Sequence, residues 1–170
     1  MSHYQSATLR VRLNKLPRLN LATLPTPLEK LSRLSEVIEG PDLYVKREDL
    51  TGMALGGNKI REFEFQIAQA IERGCDVLVH SAGSQSNQSR VTAAVAAKLG
   101  LKAVVIGRQD GHEQNQGNLL LTHLFGAEVH LPEMGQQEAA VEEKMEVLRS
   151  AGHKPFHTST DARAYRAIAY

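Results

Sequence analysis

Short, continuous apolar runs alternate along this chain with longer stretches whose apolar positions recur every three or four residues. Asp76 leads into Val77-Leu78-Val79, Ala103-Val104-Val105-Ile106 forms a second run, and Glu128-Val129-His130-Leu131 a third. Runs of that length predict strands buried on both faces. Between and after them, residues 89–99, 116–125 and 136–150 show helical spacing and are followed by Gly100, Gly126 and Gly152. A glycine just past the last periodic residue is a helix stop. Strands alternating with helices predict right-handed β-α-β units, hence an α/β fold: a three-layer open parallel sheet with helices on both faces. Ligands of such sheets sit at the carboxyl ends of the strands, the edge at which loop 81–88 falls.

The pattern upstream is less regular. After an irregular arm, Leu28, Leu31, Leu34 and Ile38 follow Pro25 and Pro27 at helical spacing, and Gly40-Pro41 closes the segment. Leu43-Tyr44-Val45 predicts a short strand running into the polar Lys46-Arg47-Glu48-Asp49, where a solvated turn is expected. Ile60, Phe63, Ile67 and Ile71 mark one face of the next helix, with Gly74 beyond its end. At the other end of the chain, residues 161–170 read as a helix with a Ser159/Thr160 cap and no terminating glycine.

Composition adds limits. The 170 residues suit one ordinary domain with a core, and 42% apolar with 23% charged residues is globular rather than disordered. A net charge of +1 gives no overall pull toward nucleic acid or anionic lipid. The single cysteine, Cys75, excludes an internal disulfide and fits a reducing cytosol. No run reaches the roughly 18 apolar residues of a membrane span. Arg10, Arg12, Lys15 and Arg18 precede the first acid, Glu29, but the segment is too poor in serine for a transit peptide. A cytoplasmic protein is expected.

Several familiar sites fail on inspection. In Gly52-Met-Ala-Leu-Gly56-Gly57-Asn58-Lys59 the asparagine interrupts a P-loop, and Ile60 stands where its hydroxyl should be. Gly-x-Gly-x-x-Gly is absent, as is Gly-x-Ser-x-Gly around Ser84 and Ser86. His112-Glu113 lacks a second histidine at Gln116, so no protein metal site is expected.

Two loops remain. Lys59 opens a helix, where the positive end of the dipole disfavours a lysine, and Gly56, Gly57 and Asn58 before it suggest a backbone bent for close approach. An exposed lysine on a tolerant surface would read the same way. Ser86, Asn87 and Gln88 fit a helix cap, and the N–H groups that want a cap also bind a carboxylate.

Together these residues resemble a known family. Lys46-Arg47-Glu48-Asp49-Leu50-Thr51-Gly52, Gly56-Gly57-Asn58-Lys59 and Ser86-Asn87-Gln88 with Arg90 are similar in order and spacing to pyridoxal-phosphate enzymes related to 1-aminocyclopropane-1-carboxylate deaminase and D-cysteine desulfhydrase. These belong to the tryptophan-synthase-β-like superfamily of fold type II. The resemblance implies that Lys59 forms the imine with pyridoxal 5'-phosphate, with Asn58 in the same turn. Ser86, Asn87 and Gln88 would hold the substrate carboxylate, and Asn87 would lie near the phenolic oxygen of the cofactor ring. Lys59 would then act as a base and Ser86 as a second acid/base or positioning group, in lyase or hydrolase chemistry that leaves a 2-oxo acid and ammonia.

It also implies an organisation: residues 1–73 as part of a large cofactor domain, 74–158 as a small open-sheet domain, and 159–170 returning to the large one. Two positions depart from the family. Glu62 stands where members often carry a further lysine, and no glycine-rich phosphate loop follows residue 100. The chain is therefore expected to be the N-terminal half of such an enzyme, inactive and poorly soluble alone. Its expected partners are a small amino acid and either copies of the complete enzyme or a complementary C-terminal chain, not nucleic acid or membrane. The alternatives are a non-catalytic binding or assembly module and, less in keeping with the failed P-loop, a nucleotide-binding domain.

Overall fold

The computed structural model describes residues 6–109, 111 and 114–161. The elements, in chain order, are α1 (Ser6–Leu13), β1 (Leu28–Lys30), α2 (Ser32–Val37), β2 (Tyr44–Lys46), α3 (Lys59–Glu72), β3 (Val77–Gly83), α4 (Asn87–Leu99), β4 (Lys102–Arg108), α5 (Gly117–Leu124), β5 (Glu128–His130), α6 (Gln137–Ser150) and β6 (Pro155–His157). Two 3-10 turns, Glu48–Thr51 and Met53–Leu55, join β2 to α3. Of the expected helix at 161–170, residues 162–170 lie outside the described residues, as do His112 and Glu113.

The main sheet has the order β5-β4-β3-β6, with every pairing parallel. Because side chains alternate across a strand, each run feeds two cores. Leu78, Ala103, Val105 and Phe156 pack with Ile60, Phe63 and Ile67 of α3 and with Val91 and Val95 of α4. On the opposite face Val77, Val79, Val104 and Ile106 meet Met145 and Leu148 of α6. Phe63 and Ile67 are fully buried, and burial of one such side chain contributes about 1.5–3 kcal/mol. The three-layer α/β arrangement with helices on both faces is thus present.

The order of the strands locates the ligand-binding edge. From β3 the chain steps outward through β4 to β5, then returns by α6 to place β6 on the other side of β3. Helices flanking such a reversal leave a crevice beyond the carboxyl ends of the two strands that meet there. The loops after β3 and after β6 open onto that crevice.

Three local expectations are corrected. Leu28–Lys30 is not helical: it pairs antiparallel with Tyr44–Lys46, and only Ser32–Val37 forms a helix. Pro25 and Pro27 favour extended backbone, and the pairing with β2 outweighs the helical spacing of the leucines. The arm before Leu28 contains a helix, α1. The strand β6 was not anticipated, since Pro155-Phe156-His157 has a single strongly apolar residue and a proline; proline is tolerated as the first residue of a strand. Leu28, Leu34, Val37 and Ile38 are exposed within one short stretch.

Candidate active site

The turn that delivers Lys59 is built from backbone contacts only glycine permits. Gly56 has φ +75° and ψ −169°, a region essentially closed to other residues. A Cβ there would stand 2.0 Å from the Asp49 carbonyl oxygen. Buried Thr51 locks the turn by donating to the Glu48 and Gly57 carbonyls, each at 3.0 Å, while the Gly57 N–H donates to the Glu48 carbonyl at 2.8 Å. The Glu48 carboxylate is not in a solvated turn: Arg61 Nε donates to it at 2.5 Å and Thr26 Oγ1 at 2.9 Å. The Arg61 hydrogen bond holds the Glu48 carboxyl below the usual carboxylate range against the opposing effect of burial.

Lys59 follows as the first residue of α3, with Asn58 at the N-cap position. Its side chain is 37% exposed, and its amine lies 3.9 Å from Glu62 Oε1. The lysine of the preceding strand, Lys46, is instead engaged with the Thr26 carbonyl. Glu62, read from the sequence only as a lost cation, is buried and accepts a hydrogen bond from the Gln88 side-chain amide. One carboxylate therefore links the lysine turn on α3 to the start of α4.

At that start Ser86 is the N-cap. Its Oγ accepts from the N–H of Gln88 at 3.1 Å and of Ser89 at 3.4 Å, leaving the hydroxyl proton available for a further acceptor. Asn87 Oδ1 accepts from Asn118 Nδ2 at 3.0 Å. Arg90 reaches back to the glycine turn, with Nη2 donating to the Gly56 carbonyl at 3.0 Å and Nη1 to Asn118 Oδ1 at 3.1 Å. Burial lowers the Arg90 guanidinium below its ordinary value, but an arginine stays charged at neutral pH. Lys59 and Gln88 are thereby brought together through Glu62, and Ser86 and Asn87 sit on the same helix end.

Sequence reasoning did not find Asn118, nor a polar cluster at the switch point. There His80 Nδ1 lies 2.7 Å from Thr158 Oγ1, and Ser81 Oγ lies 3.1 Å from His157 Nε2. The signal was the crevice rule, which needed β6 to be recognised first. The groove there is lined by Ser81, Gln88, His157, Ser159 and one side of α6, and Lys59 and Asn87 do not line it. The hydrogen-bonded turn around Lys59, rather than that groove, has an amine, a serine-capped helix N-terminus and an open backbone side by side.

These residues fit an aldehyde cofactor. The Lys59 amine is accessible, and at Gly57 a Cβ would meet nothing nearer than Arg90 Nη2 at 3.7 Å, so the adjoining backbone is open to a ligand. The family comparison agrees: a model described as pyridoxal-phosphate dependent enzyme matches residues 19–170. The chain belongs to that family.

A D-cysteine desulfhydrase from Yersinia pestis (strain Pestoides F) is 44% identical over 158 residues, which cover 88% of this chain and 47% of the relative. The D-cysteine desulfhydrase of Yersinia enterocolitica is 42% identical over 173 residues, covering 96% and 51%. A Pyrococcus abyssi protein provisionally named 1-aminocyclopropane-1-carboxylate deaminase is 43% identical over 147 residues, covering 85% and 44%. The crystal structure of an ACC deaminase homologue superposes with a TM-score of 0.81 at 36% identity, over 88% of this chain and 46% of its own. The chain spans about half the length of the curated relatives it matches. Desulfhydration, the reaction that the Yersinia relatives' names give, is an elimination rather than a hydrolysis, so the hydrolase part of the earlier expectation is withdrawn. Among the described residues, no helix is long and apolar enough to cross a membrane.

Proposed function

We propose that this chain contributes the lysine-bearing half of a cytoplasmic pyridoxal-phosphate-dependent lyase acting on a small amino acid. The substrate would be of the D-cysteine or 1-aminocyclopropane-1-carboxylate type, and the products a 2-oxo acid and ammonia. The observation that carries the reading is the Lys59 amine at the end of a glycine-only turn, tied through Glu62 to the capped N-terminus of α4. Residues 1–73 would belong to the larger cofactor domain and 74–158 to the smaller one.

When bound, pyridoxal phosphate supplies the electron sink for the pair left on the α-carbon. Lys59 would hold it covalently, Asn58 would shape the turn, and Asn87 would offer a hydrogen-bond donor to its ring oxygen. With a substrate of the D-cysteine type, the freed Lys59 amine would take the α-proton, and Glu62 beside it would stabilise the ammonium so formed. Aminocyclopropane carboxylate has no α-proton, so there the electron pair would come from opening of the ring. The substrate carboxylate is received at the N-terminus of α4, where the Asn87 N–H has no protein acceptor among the described residues and the helix dipole favours an anion. The Ser86 hydroxyl, its oxygen already used as the cap, can donate a hydrogen bond to the departing group.

A second reading, an assembly module without catalysis, draws on the exposed Leu28, Leu34, Val37 and Ile38. The test uses the chain with pyridoxal phosphate, alone and with a C-terminal half matching that of the full-length relatives. Release of 2-oxo acid from D-cysteine or aminocyclopropane carboxylate in the paired sample, abolished by Lys59→Ala, is expected. Tight pairing of the halves with no product from either substrate would favour the assembly module.

A further inference from the structure

Asparagine side chains present a donor or an acceptor according to how the amide is turned, and at Asn87 the surroundings leave one choice. Arg90 has only donors, so the atom of Asn118 that it meets at 3.1 Å must be the oxygen. The Asn118 nitrogen then faces the Gln85 carbonyl at 2.8 Å, which can only accept. The same nitrogen lies 3.0 Å from the Asn87 amide, which must therefore present its oxygen. The orientation of Gln85 is fixed independently: its oxygen accepts the Asn118 N–H at 2.9 Å and its nitrogen donates to the Gln116 carbonyl at 3.2 Å. Every link ends on a group whose polarity cannot reverse.

We propose that Asn118, set by Arg90 and the Gln85 carbonyl, is a positioning residue that turns the Asn87 amide so that its NH2 faces outward as a donor for an oxygen acceptor on the ligand. The Asn87 NH2 has no acceptor among the described residues, so the site is specific for an acceptor such as a phenolate oxygen and disfavours a donor there. Arg90 also holds the Gly56 carbonyl at 3.0 Å, so the same side chain sets the lysine turn and the donor. The assignment of that acceptor to pyridoxal phosphate rests on the function proposed above; the amide polarity does not.

The experiment follows the side-chain NH2 groups of the 15N-labelled chain by NMR, paired with the unlabelled C-terminal half of a full-length relative, without ligand and then with pyridoxal phosphate. In the unmodified chain the Asn118 NH2 should exchange with water about 10-fold more slowly than the Asn87 NH2, because only the former is hydrogen-bonded to protein. Asn118→Asp offers oxygens alone, so the Asn87 amide should turn and its NH2 become the protected one. Pyridoxal phosphate, titrated by imine absorbance, should then bind about 10-fold more weakly. A protected Asn87 NH2 in the unmodified chain, which needs no variant to fold, would overturn the proposal. So would an Asn118→Asp chain whose Asn87 turns while cofactor affinity stays the same. The predicted exchange pattern with no imine at Lys59 would leave the polarity standing and count against the enzyme reading instead.

Discussion

Replacing Glu62 separates its structural from its chemical contribution. Its side chain is 6% exposed, accepts from the Gln88 amide and lies 3.9 Å from Lys59 Nζ. Glu62→Ala removes a hydrogen bond to a charged acceptor, a loss of about 1.5–3 kcal/mol. The ion pair adds less than about 1 kcal/mol, because the Lys59 side chain is 37% exposed and screened by solvent. The expected destabilisation is therefore about 2–4 kcal/mol. Glu62→Gln keeps an oxygen for Gln88 and should lose about 1 kcal/mol. Glu62→Lys, which restores the cation common in the resembling family, sets an ammonium against the Gln88 donor and the Lys59 amine, so it should cost more than the alanine. Equilibrium urea unfolding at neutral pH measures all three. An alanine variant within about 0.5 kcal/mol of the original, or a lysine variant more stable than the alanine, would refute this account of the carboxylate.

Gly56→Ala should destabilise by about 3 kcal/mol or more, since it combines Gly-only backbone with a 2.0 Å contact to the Asp49 carbonyl. Gly152→Ala, at φ +85° with nothing within 4 Å, should cost clearly less in the same thermal or urea melt. The Glu48–Arg61 pair should give an acid dependence. The folded carboxyl is depressed, so its stabilisation is fully present above the unfolded carboxylate range near about pH 4.3 and is lost as pH falls through the folded value. The stability gap between the original chain and Glu48→Gln, followed by unfolding across pH, should narrow below about pH 4; a gap independent of pH would count against the pair.

The parallel core was legible because its strands are buried on both sides and its helices stop at glycines. Val77–Val79, Ala103–Ile106 and the αL glycine at Gly100 carry that information locally. Leu28 and Phe156 carried none of it, since their strands exist only through partners distant in sequence, β2 for one and β3 for the other. At the site, the two loops were visible as glycine and serine/amide clusters, but what joins them was not. Glu62 meets Gln88 and Arg90 meets Gly56 only because α3 and α4 pack side by side. Asn118 lies one connection further on, in α5, where nothing in its neighbours marks it as part of a site.

The central claim is that Lys59 carries the cofactor. The direct measurement is borohydride reduction of the chain with pyridoxal phosphate, in the presence of the C-terminal half of a full-length relative, followed by peptide mapping. A single pyridoxyl group on the peptide containing Lys59, lost in Lys59→Arg, is the predicted result. Label on Lys46, or label spread over several lysines with none preferred, would contradict it.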